Sequence, residues 1–219
     1  MKKILITGAN RGIGLELCRQ LADRGDEVIA VCRTASTQLN NLDLRVIEGI
    51  DVSDDASLRG LQNQAGPGAL DWLINNAGIL SVESLESLDF AAMERQFMIN
   101  ALGPLRVTKA LLPKLDPGSK IGIITSRMGS IEDNTSGGYY GYRMSKAAVN
   151  MAGMSLARDL SDRRISVALL HPGMVATDMT GGRGVPAEQS ASGLIKRMDA
   201  LGMAETGSFW HAQGERLPW

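Results

Sequence analysis

The sequence predicts a doubly wound α/β domain, in which a mostly parallel sheet of seven strands carries helices on both faces. Short runs of branched apolar residues alternate with segments of helical periodicity, which is the pattern of successive β-α-β units. The first run continues directly into a glycine-rich turn and a helix, as in dinucleotide-binding sheets. The 219 residues suit one domain with a sizeable core, and no linker marks a second. We therefore expect a single Rossmann-type domain over residues 1–219, with an integral substrate site.

The predicted strands are short apolar runs, each bounded by turn residues. They cover Lys3–Thr7, Glu27–Cys32, Leu44–Glu48, Leu70–Asn75, Lys120–Thr125, Ser166–His171 and Gly207–His211. Helical periodicity fills most of the gaps. It predicts helices over Gly12–Arg24, Ser53–Gln64, Phe90–Leu115, Gly141–Ser161 and Ala187–Ala200. The connection from Thr34 to Asp43 is too short for a full helix.

The turn after the first strand reads Thr7-Gly8-Ala9-Asn10-Arg11-Gly12-Ile13-Gly14. Glycines let the backbone turn sharply and approach a pyrophosphate, and the free N–H groups of the next helix point at the anion. The spacing Gly-x-x-x-Gly-x-Gly differs from the commoner Gly-x-Gly-x-x-Gly fingerprint. An ordinary glycine-rich turn is the alternative. Its place on the first strand of an alternating chain favours a phosphate site.

Tyr142 and Lys146 lie four residues apart, on the same face of one predicted helix. A cation beside a phenol favours the phenolate, which predicts a Tyr142 pKa below the ordinary value of about 10. Such a group can give a proton to an oxyanion or take one from an alcohol. Chance pairing is the alternative for this spacing taken alone.

Together these motifs resemble the short-chain dehydrogenase/reductase family over essentially the whole chain. Further segments match in the family's order: Asn75-Asn76-Ala77-Gly78 after the fourth strand, Asn100 in the next helix, Ser126 after the fifth strand, and the run from His171-Pro172-Gly173 through Val175 to Thr177 and Asp178. The opening motif and the ending Gly214-Glu215-Arg216-Leu217-Pro218-Trp219 look like the subgroup of sniffer-type carbonyl reductases and the myxobacterial C-factor.

The resemblance implies an NADP(H)-dependent enzyme that reduces an aldehyde, ketone or quinone to an alcohol. Tyr142 is then the proton donor, and Lys146 lowers its pKa and binds the nicotinamide ribose. Ser126 holds the carbonyl oxygen, and Asn100 binds a water that links Lys146 to solvent. Ser130 would fit the family's spacing to Tyr142 better, but Ser126 directly follows the strand. Ser136-Gly137-Gly138 looks like an insertion that absorbs the extra length. The implied coenzyme residues beyond the glycine turn are Arg33, Thr34, Asp51, Val52, Asn76, Ala77, Gly78, Tyr142, Lys146, Pro172, Gly173, Val175 and Thr177, and no metal ligands are assigned.

Coenzyme choice is decided at the end of the second strand, where NAD-preferring members carry an acid for the ribose 2′-hydroxyl. Here Cys32 and Arg33 occupy that place, and Arg11 adds a second cation. Two guanidiniums suit a 2′-phosphate, so we expect NADP(H). Two plain surface arginines are the alternative. Asp51-Val52 resembles the family's adenine contact, with a helix cap leading into Ser53 as the alternative.

Other function classes are less well supported. A signalling or NADP(H)-sensing protein resembling the C-factor would not need the complete Asn-Ser-Tyr-Lys set. A sugar-nucleotide epimerase needs a longer C-terminal region, and an enoyl reductase spaces its Tyr and Lys more widely. Arg127 and Arg143 beside the site could favour an anionic substrate, although exposed salt bridges are the commoner role.

Composition limits the partners and the compartment. The 23 Lys plus Arg against 24 Asp plus Glu leave a net charge of −1, which argues against nucleic acid. No apolar stretch reaches the ~18 residues of a membrane span, and no signal peptide is evident. Cys18 and Cys32 are interpreted as reduced core residues, so we expect a cytoplasmic protein. Apolar faces on the helices after Asn100 and Tyr142 predict a homodimer, with a tetramer left open.

Overall fold

The computed structural model describes residues 1–219 and contains seven strands. They are β1 (Lys3–Thr7), β2 (Glu27–Val31), β3 (Arg45–Ile47), β4 (Trp72–Asn75), β5 (Lys120–Ile124), β6 (Ser166–His171) and β7 (Ser208–His211). All pair in parallel in one sheet of order β3-β2-β1-β4-β5-β6-β7. The predicted strands are therefore present, several of them one or two residues shorter at an end.

Seven α-helices surround the sheet. They are α1 (Gly12–Asp23), α2 (Thr37–Asn40), α3 (Leu61–Gln64), α4 (Phe90–Phe97), α5 (Gly103–Leu111), α6 (Tyr140–Asp159) and α7 (Ala187–Ala200). One buried cluster packs α5 and α6 on one face of the sheet, and a second packs α1 and α7 on the other. The doubly wound architecture predicted from the sequence is confirmed.

The strand order reverses between β1 and β4, which are neighbours although they are not consecutive in the chain. In such sheets ligands bind beyond the carboxyl ends of the strands at the reversal. The glycine turn follows β1 and the Asn76-Ala77-Gly78 segment follows β4, so both lie at this point. The Thr7 hydroxyl ties them together by accepting the backbone N–H groups of Asn76 and Ala77, each at 3.1 Å.

The helix predicted over Ser53–Gln64 is wrong for most of its length, since only Leu61–Gln64 is helical. Residues 52–60 form turns instead. The Asp51 and Asp54 carboxylates accept backbone N–H groups of Ser53 and Ala56, both at 2.9 Å. Such local side-chain bonds offer the backbone an alternative to the helix. Gly60, with φ +77°, then sets where α3 begins.

The long helix predicted over Phe90–Leu115 is also interrupted. A wide π-turn over Met98–Leu102 separates α4 from α5, and a 3₁₀ turn over Leu112–Lys114 follows α5. Pro104 lacks an N–H and cannot bond to the carbonyl four residues earlier, so the α-helical ladder cannot run through this point. The π-turn contains Asn100.

Two further features concern the chain as a whole. None of its helices is both long and apolar enough to cross a bilayer. Cys18 and Cys32 are buried and unpaired, as the sequence predicted.

Candidate active site

A cleft of about 830 Å³ opens at the carboxyl ends of the strands, across the reversal of strand order. Its lining combines the glycine turn, the segment after β4, one face of α6 and the segment after β6. Predicted residues on its walls are Gly8, Asn10, Arg11, Gly12, Ile13, Gly14, Arg33, Asp51, Val52, Asn76, Ala77, Gly78, Tyr142, Lys146, Pro172 and Thr177. A cleft of this size and position can take a dinucleotide.

Other predicted residues do not line this cleft. Gly173 faces a second cavity, Val175 is buried in the segment after β6, and Thr34 lies beyond the wall. Asn100 and Ser126 are also outside the lining, at 1% and 7% exposure.

The glycine turn has the shape that a phosphate site needs. Gly8 has φ +65°, and a Cβ there would lie 2.8 Å from the Ala77 Cα atom. A Cβ on Gly14 would collide with the Gly8 carbonyl oxygen. No side chain caps the N-terminus of α1, and its first turn contains no acid. The N–H groups at this end are therefore available to an anion, and the donor set fits a pyrophosphate.

The adenosine end of the cleft carries two guanidiniums. Arg33 makes no ion pair, whereas Arg11 meets Asp178 at 3.3 Å in an exposed pair. Cys32 is buried beside them and offers no carboxylate. Asp51 Oδ1 accepts both the N–H and the hydroxyl of Ser53, which holds the pKa of this carboxyl below its ordinary value. Asp51 thus orders the turn at Ser53 rather than capping a helix, and it also lines the cleft.

The pair at the centre of the site lies on one face of α6. Tyr142 and Lys146 are 8% and 4% exposed. The Lys146 ammonium stands 5.6 Å from the centre of the Tyr142 ring and donates to the Ile124 carbonyl at 3.0 Å. The Ser126 hydroxyl faces the phenol and favours its ionised form. The structure therefore brings Ser126, Tyr142 and Lys146 together.

The pKa of Tyr142 moves in the direction opposite to that predicted. Burial raises it to about 12, and the nearby Ser126 hydroxyl opposes this rise only in part. Burial also lowers the pKa of Lys146 to about 8. Taking the phenolate out of water costs more than the Ser126 hydroxyl returns. Tyr142 is thus a firmly protonated phenol at neutral pH.

The Asn100 side chain makes three hydrogen bonds. Its side-chain oxygen accepts the Ile79 N–H at 2.9 Å, and its side-chain nitrogen donates to the Ile79 carbonyl at 2.8 Å. It also donates to the Ser145 hydroxyl at 3.0 Å, which in turn donates to the Tyr142 carbonyl at 2.8 Å. Asn100 therefore joins the π-turn to the helix that carries Tyr142. Sequence reasoning missed Ser145, although it directly precedes Lys146.

A buried carboxylate at the start of α6 was also missed. Glu83 is 2% exposed and accepts from the Ser81 hydroxyl at 2.6 Å, the Gln96 amide at 2.8 Å and the Gly141 N–H at 3.2 Å. No side chain of α6 itself caps this end, and Tyr139 before it has φ +53°. Glu83 thus caps α6 from a distant loop. A single acid in a polar loop gives no sequence signal of this role.

The two arginines beside the site are engaged by the protein. Arg127 pairs with Asp133 at 2.8 Å and with Glu215 at 3.2 Å. Arg143 makes no ion pair and instead donates to main-chain carbonyls of the neighbouring loop, including Gly138 at 3.1 Å. Both guanidiniums hold the loop that follows Ser126. This favours structural roles over recognition of an anionic substrate.

Ser126 and Ser130 have different surroundings. The Ser130 hydroxyl donates to the Trp219 carbonyl at 2.9 Å and accepts from the Asp133 N–H at 3.1 Å. It is therefore committed to the loop and the C-terminal segment. Ser126 accepts from the Met128 N–H at 3.1 Å and faces Tyr142. This arrangement favours Ser126 as the partner of the phenol.

Comparisons with known proteins identify the family of the chain. A family model described as short chain dehydrogenase matches residues 2–185. The 1-hydroxy-2-glutathionyl-2-methyl-3-butene dehydrogenase of Rhodococcus sp. (strain AD45) is 44% identical over 226 residues, covering 100% of both chains. The C-signal of Myxococcus xanthus is 46% identical over 74% of this chain and 100% of its own.

Solved structures give the same result. The carbonyl reductase Sniffer of D. melanogaster has a TM-score of 0.90 at 31% identity, covering 100% of each chain. The NADPH-bound carbonyl reductase from chicken fatty liver has a TM-score of 0.90 at 29% identity, covering 100% of this chain and 99% of its own. The resemblance stated from the sequence is confirmed. The chain belongs to the short chain dehydrogenase family of oxidoreductases.

Proposed function

We propose that the protein reduces the carbonyl group of a small molecule to an alcohol with NADPH, and that Tyr142 is the proton donor. One observation carries this proposal: a buried, protonated phenol lies beside Lys146 and faces the Ser126 hydroxyl, at the wall of a nucleotide-sized cleft. Reduction places negative charge on the carbonyl oxygen, and this arrangement offers that oxygen two hydroxyl donors.

The proposed roles of the residues follow from their surroundings. NADPH, when bound, supplies the hydride. Ser126 donates a hydrogen bond to the carbonyl oxygen, which orients the substrate and shares the developing charge. Tyr142 keeps its proton at neutral pH because burial raises the pKa to about 12. It can therefore release the proton once the oxygen has become strongly basic. The Lys146 ammonium stabilises the phenolate that remains.

NADPH is proposed over NADH on the charges at the adenosine end. Arg33 forms no ion pair, and the end of β2 provides no carboxylate for a ribose 2′-hydroxyl. The carbonyl reductase from chicken fatty liver is described as NADPH-bound, which supports the same choice. The Arg11–Asp178 pair is exposed on both sides, so Arg11 can turn to a phosphate at little cost.

The test is turnover of a panel of aldehydes, ketones and quinones with NADPH, followed by loss of absorbance. Tyr142→Phe removes only the hydroxyl, so it should lower kcat by orders of magnitude while NADPH still binds. Tyr140→Phe is the matched control, because Tyr140 lies two residues away and is 36% exposed. Near wild-type turnover in Tyr142→Phe would show that the proton comes from another group.

Two relatives favour other candidates. The similarity to a dehydrogenase of a glutathionyl alcohol favours alcohol oxidation, which the same residues support in reverse. Turnover of such an alcohol with NADP⁺, faster than any carbonyl reduction, would select this direction. The similarity to the C-signal favours a signalling role. In that case Tyr142→Phe would leave the biological activity unchanged.

A homodimer is also proposed, built on α6 as predicted but on α4 in place of the helix after Asn100, because α5 exposes no large apolar side chain. Phe97 at the end of α4 and Met144 and Met151 on α6 are 41%, 57% and 68% exposed. These large apolar side chains give the two helices an apolar outer surface, which a second copy would cover. The buried, unpaired thiols support the proposal that the protein works in the cytoplasm.

A further inference from the structure

A second cavity, of about 640 Å³, lies between α7, the Pro172–Met174 segment and the turn after β7. Gln189, Gly193 and Lys196 follow one another at helical spacing, so one face of α7 forms a wall. His211 and Gln213 face this wall from the turn. Pro172 belongs to the lining of both cavities, so the Pro172–Met174 segment is a common wall of this cavity and the coenzyme cleft.

The charges in this cavity are all of one sign. Lys196 and Arg197 line it, no acidic side chain does, and neither cation forms an ion pair. The Arg197 Nε atom is buried without a hydrogen-bond partner. Buried donors in proteins are almost always partnered. The nearest acid on the turn, Glu215, is already paired with Arg127 at 3.2 Å.

Neutral donors complete the lining. His211 Nδ1 accepts the Gln213 N–H at 3.0 Å, so the hydrogen of the neutral ring sits on Nε2. The Gln189 and Gln213 amides add further donors. Cations without acids, together with amide and imidazole N–H groups, suit a carboxylate, whose oxygens accept several hydrogen bonds.

We propose that this cavity binds a carboxylate group of the substrate, so that the preferred substrates are carbonyl compounds with an acidic tail. Arg197 and Lys196 hold the carboxylate, and Gln189, Gln213 and His211 orient it. The Pro172–Met174 segment lies between the acidic tail and the reacting carbonyl. This inference rests on the proposed carbonyl reduction.

The test compares aldehydes that carry a terminal carboxylate with their methyl esters, over a series of chain lengths. At the chain length that fits best, the wild type should have a kcat/KM about tenfold or more higher for the acid than for its ester. This is the difference that one charge-assisted hydrogen bond produces. Lys196→Ala with Arg197→Ala should reduce that ratio to about one, while turnover of the esters persists. Arg59→Ala, an exposed cation outside the cavity, should keep the preference.

Calorimetric titration with adipate tests the site without turnover. The wild type and Arg59→Ala should bind it, and the double variant should not. Equal kcat/KM for acid and ester in the wild type, or a preference that survives in the double variant, would overturn the proposal. So would adipate binding that the double variant retains. Reduction of esters with no acid preference would overturn the carboxylate site alone, whereas adipate binding without any turnover would overturn only the proposed reaction.

Discussion

Replacing Lys146 by methionine should stabilise the fold while removing the proposed activity. Lys146 is 4% exposed, and its ammonium donates to a single protein acceptor, the Ile124 carbonyl at 3.0 Å. Burial lowers its pKa from the ordinary 10.5 to about 8. Since one pKa unit corresponds to about 1.4 kcal/mol, the charged form costs the folded state roughly 3 kcal/mol. Methionine keeps the unbranched stem and removes that cost.

Part of this gain is lost again, because the Ile124 carbonyl is left without its donor. An unsatisfied buried acceptor costs about 1–2 kcal/mol, which leaves a net stabilisation of about 1–2 kcal/mol at pH 7. The folded-state pKa is the lower one, so the unfolded chain binds more protons between about pH 8 and pH 10.5. Wild-type stability therefore rises across that range. The advantage of the variant should be full below about pH 8 and should fade toward pH 10.5.

Urea unfolding of the coenzyme-free proteins, followed by tryptophan fluorescence at pH 7 and pH 10, measures both effects. Lys109→Met is the matched control, because Lys109 is exposed on α5 and makes no ion pair. It should change the free energy of unfolding little at either pH. If Lys146→Met were less stable than the wild type at pH 7 with an unchanged m-value, the argument from burial would be refuted. A gain equal at both pH values would refute it as well.

Three further perturbations test other parts of the site. Cys32→Asp combined with Arg33→Gln should shift the ratio of NADPH to NADH affinity, measured by fluorescence titration, toward NADH. The shift should be ten- to a hundred-fold, which corresponds to the loss of one charged hydrogen bond to the phosphate. Equal affinities of the wild type for the two coenzymes would contradict the phosphate assignment. Glu83→Ala should lower the free energy of unfolding by about 2–4 kcal/mol, because several buried donors lose their acceptor, and Glu83→Gln should recover part of it; a loss below 1 kcal/mol would contradict the capping role. Met151→Asp should convert a dimer to a monomer in light scattering, and a wild-type mass near 23.4 kDa would rule the dimer out.

The sheet could be predicted because each strand of a buried parallel sheet is a continuous apolar run in the sequence. Candidate site residues were found for a related reason. Asn76, Ser126 and Pro172 follow directly after strands, and the carboxyl ends of parallel strands meet at one edge. Position along the chain therefore implied position in space for these residues.

Other features depend on interactions that the sequence does not display. Asp51 and Asp54 bind backbone groups only two residues away, and these turns replace a helix that periodicity alone predicts. Glu83 acts on Gly141 across 58 positions of the chain. The pKa of Tyr142 was misjudged because the spacing to Lys146 shows the cation, whereas the burial of both groups appears only in the folded structure.

The π-turn at Met98–Leu102 sets the rotational phase of the helices on either side of it. One extra residue in a turn rotates everything beyond it by about 100° relative to a continuous α-helix. This offset allows Phe97 to face outward while Asn100, three residues later, faces Ile79 and Ser145. Deleting one residue from the turn would restore a regular helix and swing the amide away from both partners. The active-site geometry thus depends on the π-turn, because a regular helix in its place would lose the hydrogen bonds of Asn100 with Ile79 and Ser145.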